Sequence, residues 1–230
     1  AEWTGLARGL TQRANLLEAI LKDCYGPQRM ARQGLLPASL IAGSPEFLRP
    51  MVGVTPRGGH HLWFYAADLG RGPDGRWWVL GDRTQAPSGA GYALENRVAL
   101  GRALSDVSRQ LNVQRLAGFF QAFQRTLSQY KGTDSARVGL LTPGALNETY
   151  FEHSYLARYL GFLLVEGEDL TVRADRLYVR TVTGLKPIDV LWRRLDSEFA
   201  DPLELNGESR IGVPGLVRTV RAGNVLLANA

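Results

Sequence analysis

Two aspartates at the ends of neighbouring strand-like segments are the residues of this sequence best suited to chemistry. Residues 64–67 lead to Asp68, and residues 77–80 lead to Asp82. The sequence Gly-Pro-Asp-Gly at 72–75 lies between the two segments. Proline suits the second position of a type I turn and glycine suits the left-handed position that follows. The pattern therefore predicts a hairpin with a three-residue loop and a bulge at the glycine.

This turn sets the pairing of the two strands and places both acids on one face. Asp68 and Asp82 are then diagonal neighbours roughly 7–8 Å apart. Carboxylates at this separation could share a divalent cation, with Thr84 joining them one alternation later, and such hard oxygen ligands suit Mg²⁺ shared with substrate phosphates. The alternative is a pair of solvated acids at the mouth of a hairpin. The expected pairs are Gly72 with Arg76, Asp68 with Leu80, and Ala66 with Asp82.

The composition is that of a soluble globular protein. The 230 residues, 45% of them hydrophobic and 21% charged, suffice for one large or two small domains with a real core. No apolar run approaches the roughly 20 residues of a membrane helix, and there is no signal-peptide pattern. The single cysteine, Cys24, excludes an internal disulfide framework and fits a cytoplasmic location.

The net charge of +5 does not by itself indicate nucleic-acid binding. Only three of the 27 basic residues are lysines, and the arginines are scattered among acids rather than grouped in a run or stripe. The adjacent histidines His60 and His61 do not indicate a metal site, because neighbouring strand residues point to opposite faces.

Apolar spacing predicts an alternation of helices and strands along the chain. The expected helices cover residues 3–24, 28–33, 93–111, 115–130, 148–160 and 215–221. Besides the hairpin, the expected strands cover 51–54, 61–69, 138–141, 162–165, 177–180 and 188–192, with an apolar strand-like run at 224–230. Because the chain opens inside a helical pattern and closes on that run, we expect it to be a piece of a longer protein.

Residues 131–135 form the best linker in the sequence, so we expect a domain boundary there. Beyond it, the strand, helix and strand over 138–165 predict a βαβ unit with the character of a nucleotide-binding fold. Several polar residues lie where its strand ends meet a helix N-terminus, which is where open α/β sheets bind ligands. The acids among them are equally explained as favourable charges at a helix start. These residues are Asn147, Glu148, Glu152 and His153.

Two further segments could bind an anion. The glycines of the loop at 83–92 could bring backbone N–H groups close to a phosphate, although the loop lacks the lysine of a P-loop. Arg193 and Arg194 follow the strand at 188–192, and an arginine pair at a strand end could clamp a carboxylate or a phosphate.

Four separated strings, YGPQRM, PSGAGYALENR, LTPGALNETYFEH and RRLDSEFADPLEL, resemble the circularly permuted ATP-grasp family. This family comprises uncharacterised bacterial proteins related to glutathionylspermidine synthase, and the resemblance runs over essentially all of the chain. It implies an α/β fold with an α+β first part. Residues 1–132 would hold a helical cap and the antiparallel, metal-binding strands, and residues 133–230 a Rossmann-like pre-ATP-grasp domain.

The resemblance also implies an activity and its cofactors. In such ligases ATP phosphorylates a carboxylate, and an amine attacks the acyl phosphate to form an amide. The cofactors would be ATP and Mg²⁺, and the partners would be small-molecule or peptide carboxylates and amines, with no nucleic acid and no membrane. Thr84 stands where the family would have asparagine, which puts one metal position in doubt.

The residues implied by the resemblance fall into four sets. The metal ligands would be Asp68, Asp82 and Thr84. The acyl phosphate would be held by Arg71, Arg83 or Arg97, and Arg193 and Arg194 resemble substrate-side arginines. The nucleotide would contact Gln85, Ser88, Gly89, Asn147 and Glu148.

The family's lysine-bearing lid would follow residue 230 in the permuted order, so we expect this chain alone to bind Mg-nucleotide weakly or not at all. The leading hypothesis is a fragment of an ATP-dependent carboxylate–amine ligase. The alternative is a degenerate, non-catalytic ATP-grasp scaffold that serves as an interaction module. A basic nucleic-acid binder is a third hypothesis that rests on charge alone.

Overall fold

A computed structural model describes residues 2–130 and 136–229 of the chain. The linker expected at 131–135 lies outside the described residues. Within those two ranges, no helix has both the length and the apolarity that a membrane crossing requires.

The first part of the chain is a helical cap. Helices α1 (Glu2–Tyr25), α2 (Arg29–Arg32) and α3 (Ala38–Ala42) precede a single 3₁₀ turn at Arg49–Met51. Asp23 near the end of α1 holds the start of α2, because its carboxylate accepts the N–H groups of Arg29 at 2.9 Å and Met30 at 3.0 Å.

The strand expected at 51–54 is not found, and the one expected at 61–69 begins only at Ala66. Over residues 61–64, side chains take the backbone N–H groups that a strand ladder would need. Glu18 accepts from the N–H groups of His61 and Leu62, with its closest contact at 2.8 Å. Asn229 accepts from the next two, at 2.7 and 2.8 Å.

A two-stranded antiparallel hairpin follows the cap, formed by β1 (Ala66–Arg71) and β2 (Trp77–Arg83). Three helices come next: α4 (Ala90–Ala103), α5 (Ser105–Gln110) and α6 (Ala117–Ser128). The single helix expected over 93–111 is interrupted at Leu104, whose backbone angles of φ −125° and ψ 49° are not helical.

The second part of the chain is built on a parallel four-stranded sheet with the strand order β4-β3-β8-β9. A three-stranded antiparallel sheet with the order β5-β6-β7 is inserted between β4 and β8. This arrangement confirms the α/β fold expected of an ATP-grasp family member. The elements are β3 (Val138–Leu141), α7 (Tyr150–Leu160), β4 (Leu163–Val165), β5 (Leu170–Arg173), β6 (Arg176–Thr181), β7 (Gly184–Pro187), β8 (Val190–Arg193), α8 (Leu216–Arg221) and β9 (Leu226–Ala228).

Two hydrophobic cores cover the two faces of the parallel sheet. Leu140 and Trp192 point into the first core, where they meet Phe120 and Leu127 of α6. Leu141 and Leu191, their neighbours in sequence, point into the second core with α8. Strands buried on both faces are rich in apolar residues, and β3 and the first three residues of β8 accordingly form hydrophobic runs, with the buried Arg193 at the end of β8. The first core contains residues from both sides of position 132.

Candidate functional site at the carboxyl edge of the parallel sheet

The hairpin has the expected turn, but its register changes partway along the strands. The Gly72 N–H donates to the Arg76 carbonyl at 2.8 Å, and the expected pairing continues to Leu69. Beyond Leu69 the pairing shifts by one residue. Because successive strand residues point to opposite faces, Asp68 and Asp82 now lie on opposite faces of the hairpin, and the expected same-face pair is wrong. The shifted pairs are Asp68 with Gly81, Ala67 with Asp82, and Ala66 with Arg83.

A bulge in β2 causes this shift. Leu80 and Gly81 are accommodated opposite a single position of β1, which is the two-against-one count of a β-bulge. A Cβ atom at Gly81 would lie 3.4 Å from Asp68 Oδ2, an ordinary van der Waals contact, so the side chain of Asp68 lies directly over Gly81. A glycine inside a strand often marks a bulge, and Gly81 was therefore the available sequence signal.

Asp82 points towards the cap helix α1. Arg13 of that helix donates to its carboxylate through Nε at 2.7 Å and Nη2 at 2.6 Å, and Tyr65 donates its hydroxyl at 2.6 Å. The bond from Arg13 holds the pKa of Asp82 below its ordinary value. Burial, together with the bond to Asp82, raises the pKa of Tyr65 to about 12. Asp82 therefore connects the hairpin to the helical cap.

Asp68 points to the opposite, open face. Its carboxylate accepts from Arg83 Nε at 2.9 Å, and both side chains are about half exposed. Each aspartate is thus neutralised by its own arginine, and within 2–130 and 136–229 no three His, Cys, Asp or Glu side chains come together as a metal-ligand group. The Thr84 carbonyl oxygen accepts from Asn229 Nδ2 at 3.0 Å. These residues do not fit one cation held between the two acids.

The polar side chains converge instead at the carboxyl edge of the parallel sheet. Thr142 follows β3, Arg194 follows β8 and Asn229 follows β9. The loop 84–89 that leads from the hairpin into α4 lies across this edge and hydrogen-bonds to it. Ligands of open α/β sheets bind at the carboxyl ends of the strands. We therefore take this edge as the candidate site.

Glu152 of α7 is fully buried at this edge and occupies the N-terminus of α4. Its carboxylate accepts from the N–H of Gly89 at 2.8 Å and from that of Gly91 at 3.1 Å. A Cβ atom at Gly91 would lie 2.7 Å from Glu152 Cγ, so only glycine permits this approach. A helix N-terminus favours negative charge. The anion-binding position of this glycine loop is therefore filled by a carboxylate of the protein itself.

Arg194 is the cation that faces Glu152. Its Nη2 lies 4.0 Å from Glu152 Oε1 and donates to the Pro87 carbonyl at 2.7 Å. Its guanidinium also lies 5.2 Å from the centre of the Trp192 ring. Nε and Nη1 of Arg194 are buried and have no hydrogen-bond partner among the described residues. Burial lowers the pKa of Arg194, and Glu152 opposes this effect.

Arg193 does not form a clamp with Arg194. Its guanidinium donates to the carbonyl oxygens of Leu195 and Asn229 and lies 3.3 Å from Gln85 Oε1. Burial lowers the pKa of Arg193 to about 10. The two guanidinium groups share no acceptor in the described part of the chain, because the side chains of adjacent strand residues diverge.

His153 is held by hydroxyl groups on both ring nitrogens. Thr149 donates its hydroxyl proton to Asn147 Oδ1 at 2.5 Å, so the Thr149 oxygen accepts from His153 Nε2 at 3.0 Å. Nδ1 is then the unprotonated nitrogen and accepts from the Thr142 hydroxyl at 2.9 Å. Burial, with a contribution from Arg194, lowers the pKa of His153 to about 4. This neutral imidazole therefore fixes the loop between β3 and α7.

Asn229 is a structurally important residue of this edge that the sequence patterns did not reveal. Its Oδ1 accepts the N–H groups of Trp63 and Phe64. Its Nδ2 donates to the carbonyl oxygens of Phe64, Thr84 and Gln85 at 2.6 to 3.1 Å. One buried amide thus fastens the chain before β1 and the chain after β2 to the parallel sheet. The available signal was a single polar residue inside the apolar run at 224–230.

The remaining expected site residues are dispersed. Gln85 Oε1 accepts from the Ser197 N–H at 2.8 Å, so its amide oxygen is used inside the protein. The Arg71 side chain contacts Glu2 at 3.1 Å on the hairpin. Ser88 is exposed in the loop before α4. Two others make contacts elsewhere: Arg97 donates to the Gln114 carbonyl at 2.6 Å, and the Glu148 carbonyl accepts from Tyr92 at 3.3 Å.

The fold and this edge define an open-sheet α/β protein whose candidate ligand site lies at the strand ends. The model of the family described as circularly permuted ATP-grasp type 2 matches residues 1–230. The chain belongs to this family.

Similar proteins are known from mycobacteria and cyanobacteria, and they are described only as uncharacterised. The chain is 42% identical to Rv2567 and 41% identical to Rv2411c of Mycobacterium tuberculosis, and 40% identical to sll0335 of Synechocystis. All of this chain is covered in each comparison, but only 26%, 42% and 48% of the respective relative. The chain thus spans between about a quarter and a half of the length of these relatives.

Proposed function

We propose that this chain supplies the substrate-side unit of an ATP-dependent ligase that joins a carboxylate to an amine through an acyl phosphate. Membership of an ATP-grasp family supports an ATP-dependent, ligase-type role in general terms. The finer reaction is our inference, and so is a cytoplasmic location. The relatives are two to four times as long as the match, so the rest of such a protein would contribute the remaining parts of the site.

Arg194 carries this proposal. It is a buried cation with two nitrogens that lack a partner among the described residues, and it lies at the strand ends of an open α/β sheet. The planar fork of a guanidinium matches the geometry of a carboxylate or a phosphate, and a carboxylate carries the single negative charge that one arginine balances. The Pro87 carbonyl covers Nη2, so a substrate carboxylate would reach Arg194 when the loop 84–89 moves aside.

Two neighbours would prepare Arg194 for this role. Glu152 balances its charge in the absence of substrate, since an unpaired buried charge is costly. His153 positions the adjacent loop and does not take a proton, because both of its ring nitrogens are already hydrogen-bonded to threonine hydroxyls.

The residues of this chain give limited support for holding the nucleotide and its metal. The N–H groups of Gly89 and Gly91 bind Glu152 and are not free for a phosphate. Asp68 and Asp82 point to opposite faces of the hairpin. We therefore propose that ATP and Mg²⁺ bind mainly through other parts of the whole protein, and that this chain alone does not turn over.

The second candidate is a non-catalytic scaffold that acts as an interaction module. The specific observation in its favour is that both hairpin aspartates are paired with arginines, with threonine at position 84. A scaffold of this kind would retain the buried network and would bind neither acid nor amine.

The test is ADP formation by the natural-length gene product, assayed with pooled carboxylic acids and pooled amines. We expect the unchanged protein to form ADP only when both pools are present. The Arg194→Lys variant should form ADP at least tenfold more slowly, and the Arg218→Lys variant at the same rate as the unchanged protein. Arg218 is the matched control because it pairs with Asp175 at 2.6 Å on the exposed surface. ADP formation that needs neither pool would contradict the ligase, and the absence of ADP formation with every pool would contradict the ligase and favour the scaffold.

A further inference from the structure

A second charged region lies away from the sheet edge, between α4, α5 and the start of α6. It is a cleft of about 570 Å³, lined by four arginines and by no aspartate or glutamate. The arginines are Arg97, Arg102, Arg109 and Arg115. This volume falls within the range of about 300–1,000 Å³ that is typical of small-molecule sites.

Breaks in the helices create the cleft. Helix α4 ends before the non-helical Leu104, and α5 therefore leaves at an angle to it. Asn112 adopts a left-handed backbone conformation with φ of 48° and turns the chain back towards α6. Arg97 Nη1 donates to the Gln114 carbonyl at 2.6 Å and ties this returning segment to α4. The walls of the cleft are thus connected by a direct hydrogen bond.

The positive charge of the cleft is only partly balanced. Asp106 forms an ion pair with Arg109, and Arg97 binds a neutral carbonyl. The side chains of Arg102 and Arg115 form no hydrogen bond or ion pair with any residue of the two described ranges, and Arg102 acts electrostatically on Tyr155 by opposing the rise in its pKa. Glu95, the single acid of α4, hydrogen-bonds to Tyr155. Like charges gathered in one cleft repel each other, and an anion would relieve this repulsion.

The rest of the lining consists of apolar side chains, which we call the floor, and of polar ones. The apolar or aromatic side chains are Leu94, Val98, Val113, Leu116 and Tyr159, and the polar ones include Ser105, Ser108 and Asn112. An occupant that matches this surface has a compact anionic group and an apolar or aromatic part.

We propose that this cleft binds a small phosphate monoester that carries an apolar or aromatic group. The phosphate would lie against Arg102 and Arg115, and the organic part would lie on the floor beside Tyr159. A phosphate dianion suits several guanidinium groups better than a singly charged carboxylate does. The cleft lies along the later part of α4, whereas Gly89 and Gly91 at the start of that helix face the sheet edge. Because the two sites are separate, this proposal does not depend on the ligase activity.

The test is isothermal titration calorimetry of the natural-length gene product with phenyl phosphate, inorganic phosphate and benzoate at low ionic strength. We expect saturable binding of phenyl phosphate. Inorganic phosphate should bind more weakly because it has no apolar part, and benzoate more weakly because it carries one negative charge where a phosphate monoester carries nearly two. The double variant Arg102→Gln/Arg115→Gln should bind phenyl phosphate at least tenfold more weakly.

The matched control is Arg8→Gln/Arg173→Gln, which removes the same charge from two exposed positions outside the cleft. We expect this control to bind phenyl phosphate as the unchanged protein does, and both variants to retain the thermal unfolding midpoint. An equal loss in the control variant, benzoate binding as tight as that of phenyl phosphate, or no saturable binding would each overturn the proposal.

Discussion

The hairpin and the carboxyl edge of the parallel sheet both bring acids and arginines together, but in opposite environments. On the hairpin, the side chains of Asp68 and Arg83 are 48% and 55% exposed. At the sheet edge, the side chains of Glu152 and Arg194 are 0% and 1% exposed. Water screens the first pair, whereas the second pair has lost its hydration and depends on the protein for compensation.

This difference shows that acids at strand ends are a weak guide to a site unless burial accompanies them. The hairpin has only two strands and one face open to water. Charged side chains on it therefore cost little free energy and are easily substituted. The parallel sheet is covered on both faces, so every polar group at its edge needs a partner. The predictions that follow test this contrast, beginning with the largest expected effect.

The first prediction concerns the buried acid. Glu152→Gln leaves Arg194 without its counter-charge and weakens the acceptor of the Gly89 and Gly91 N–H groups. We expect a loss of about 3–5 kcal/mol in the free energy of unfolding, measured by urea denaturation. The matched change Asp68→Asn on the hairpin should cost less than about 1 kcal/mol. Equal losses in the two variants would remove the contrast.

The second prediction concerns Asn229, which connects the two regions. Asn229→Ala leaves buried peptide groups at Phe64, Thr84 and Gln85 without a partner. We expect a loss of roughly 2–4 kcal/mol, because each unpaired buried group costs about 1–3 kcal/mol and the chain relaxes in part. Hydrogen exchange should become faster at Trp63 and Phe64. Asn96→Ala, at an exposed helical position, is the control and should change neither measurement.

The third prediction concerns pH. The pKa of His153 is about 4 in the folded protein and about 6.5 when the chain is unfolded, so the unfolded state binds the extra proton in between. Stability should therefore fall as the pH drops from about 6.5 towards 4, by up to about 3 kcal/mol from this residue. His153→Gln should reduce this slope, and His60→Gln, at an exposed residue, should not. An unchanged slope with His153→Gln would show that the imidazole is not held neutral.

The smallest effect is expected for the acid that joins the hairpin to the cap. Asp82→Asn weakens the bonds from Arg13 and Tyr65, and because both partners keep access to water we expect a smaller loss of stability than in the buried variants. The local readout is faster hydrogen exchange in β1 and β2. A loss as large as that of Glu152→Gln would place the hairpin among the buried regions.

Much of the second part of the chain could be predicted from its sequence, because buried strands and amphipathic helices have clear patterns. The strand Val138–Leu141 was predicted at its observed limits, and α7 begins two residues from its expected start. Glu152, His153 and Arg194 were singled out because strand ends and helix starts meet there. The expected clamp of Arg193 and Arg194 was wrong, although the rule that side chains of adjacent strand residues diverge already spoke against it, as it did for His60 and His61.

The first part was harder to predict, because its decisive interactions join residues that are far apart in sequence. The turn at 72–75 was correctly predicted from its glycines and proline. The bulge at Leu80 and Gly81 shifts the strand pairing by one residue, and local propensity does not determine whether such a shift occurs. The late start of the strand expected at 61–69 follows from Glu18 and Asn229, which take the N–H groups of residues 61–64 from sequence distances of 43 to 166 residues. No local pattern reports such contacts.

The most direct test of the central claim is the dependence of the ADP-formation rate on substrate concentration in the natural-length gene product. If the sheet edge binds the carboxylate, Arg194→Lys should raise the KM for the acid at least tenfold and leave the KM for ATP unchanged, and Asp68→Asn should change neither. The account would be contradicted if Arg194→Lys left the KM for the acid unchanged while Asp68→Asn raised it.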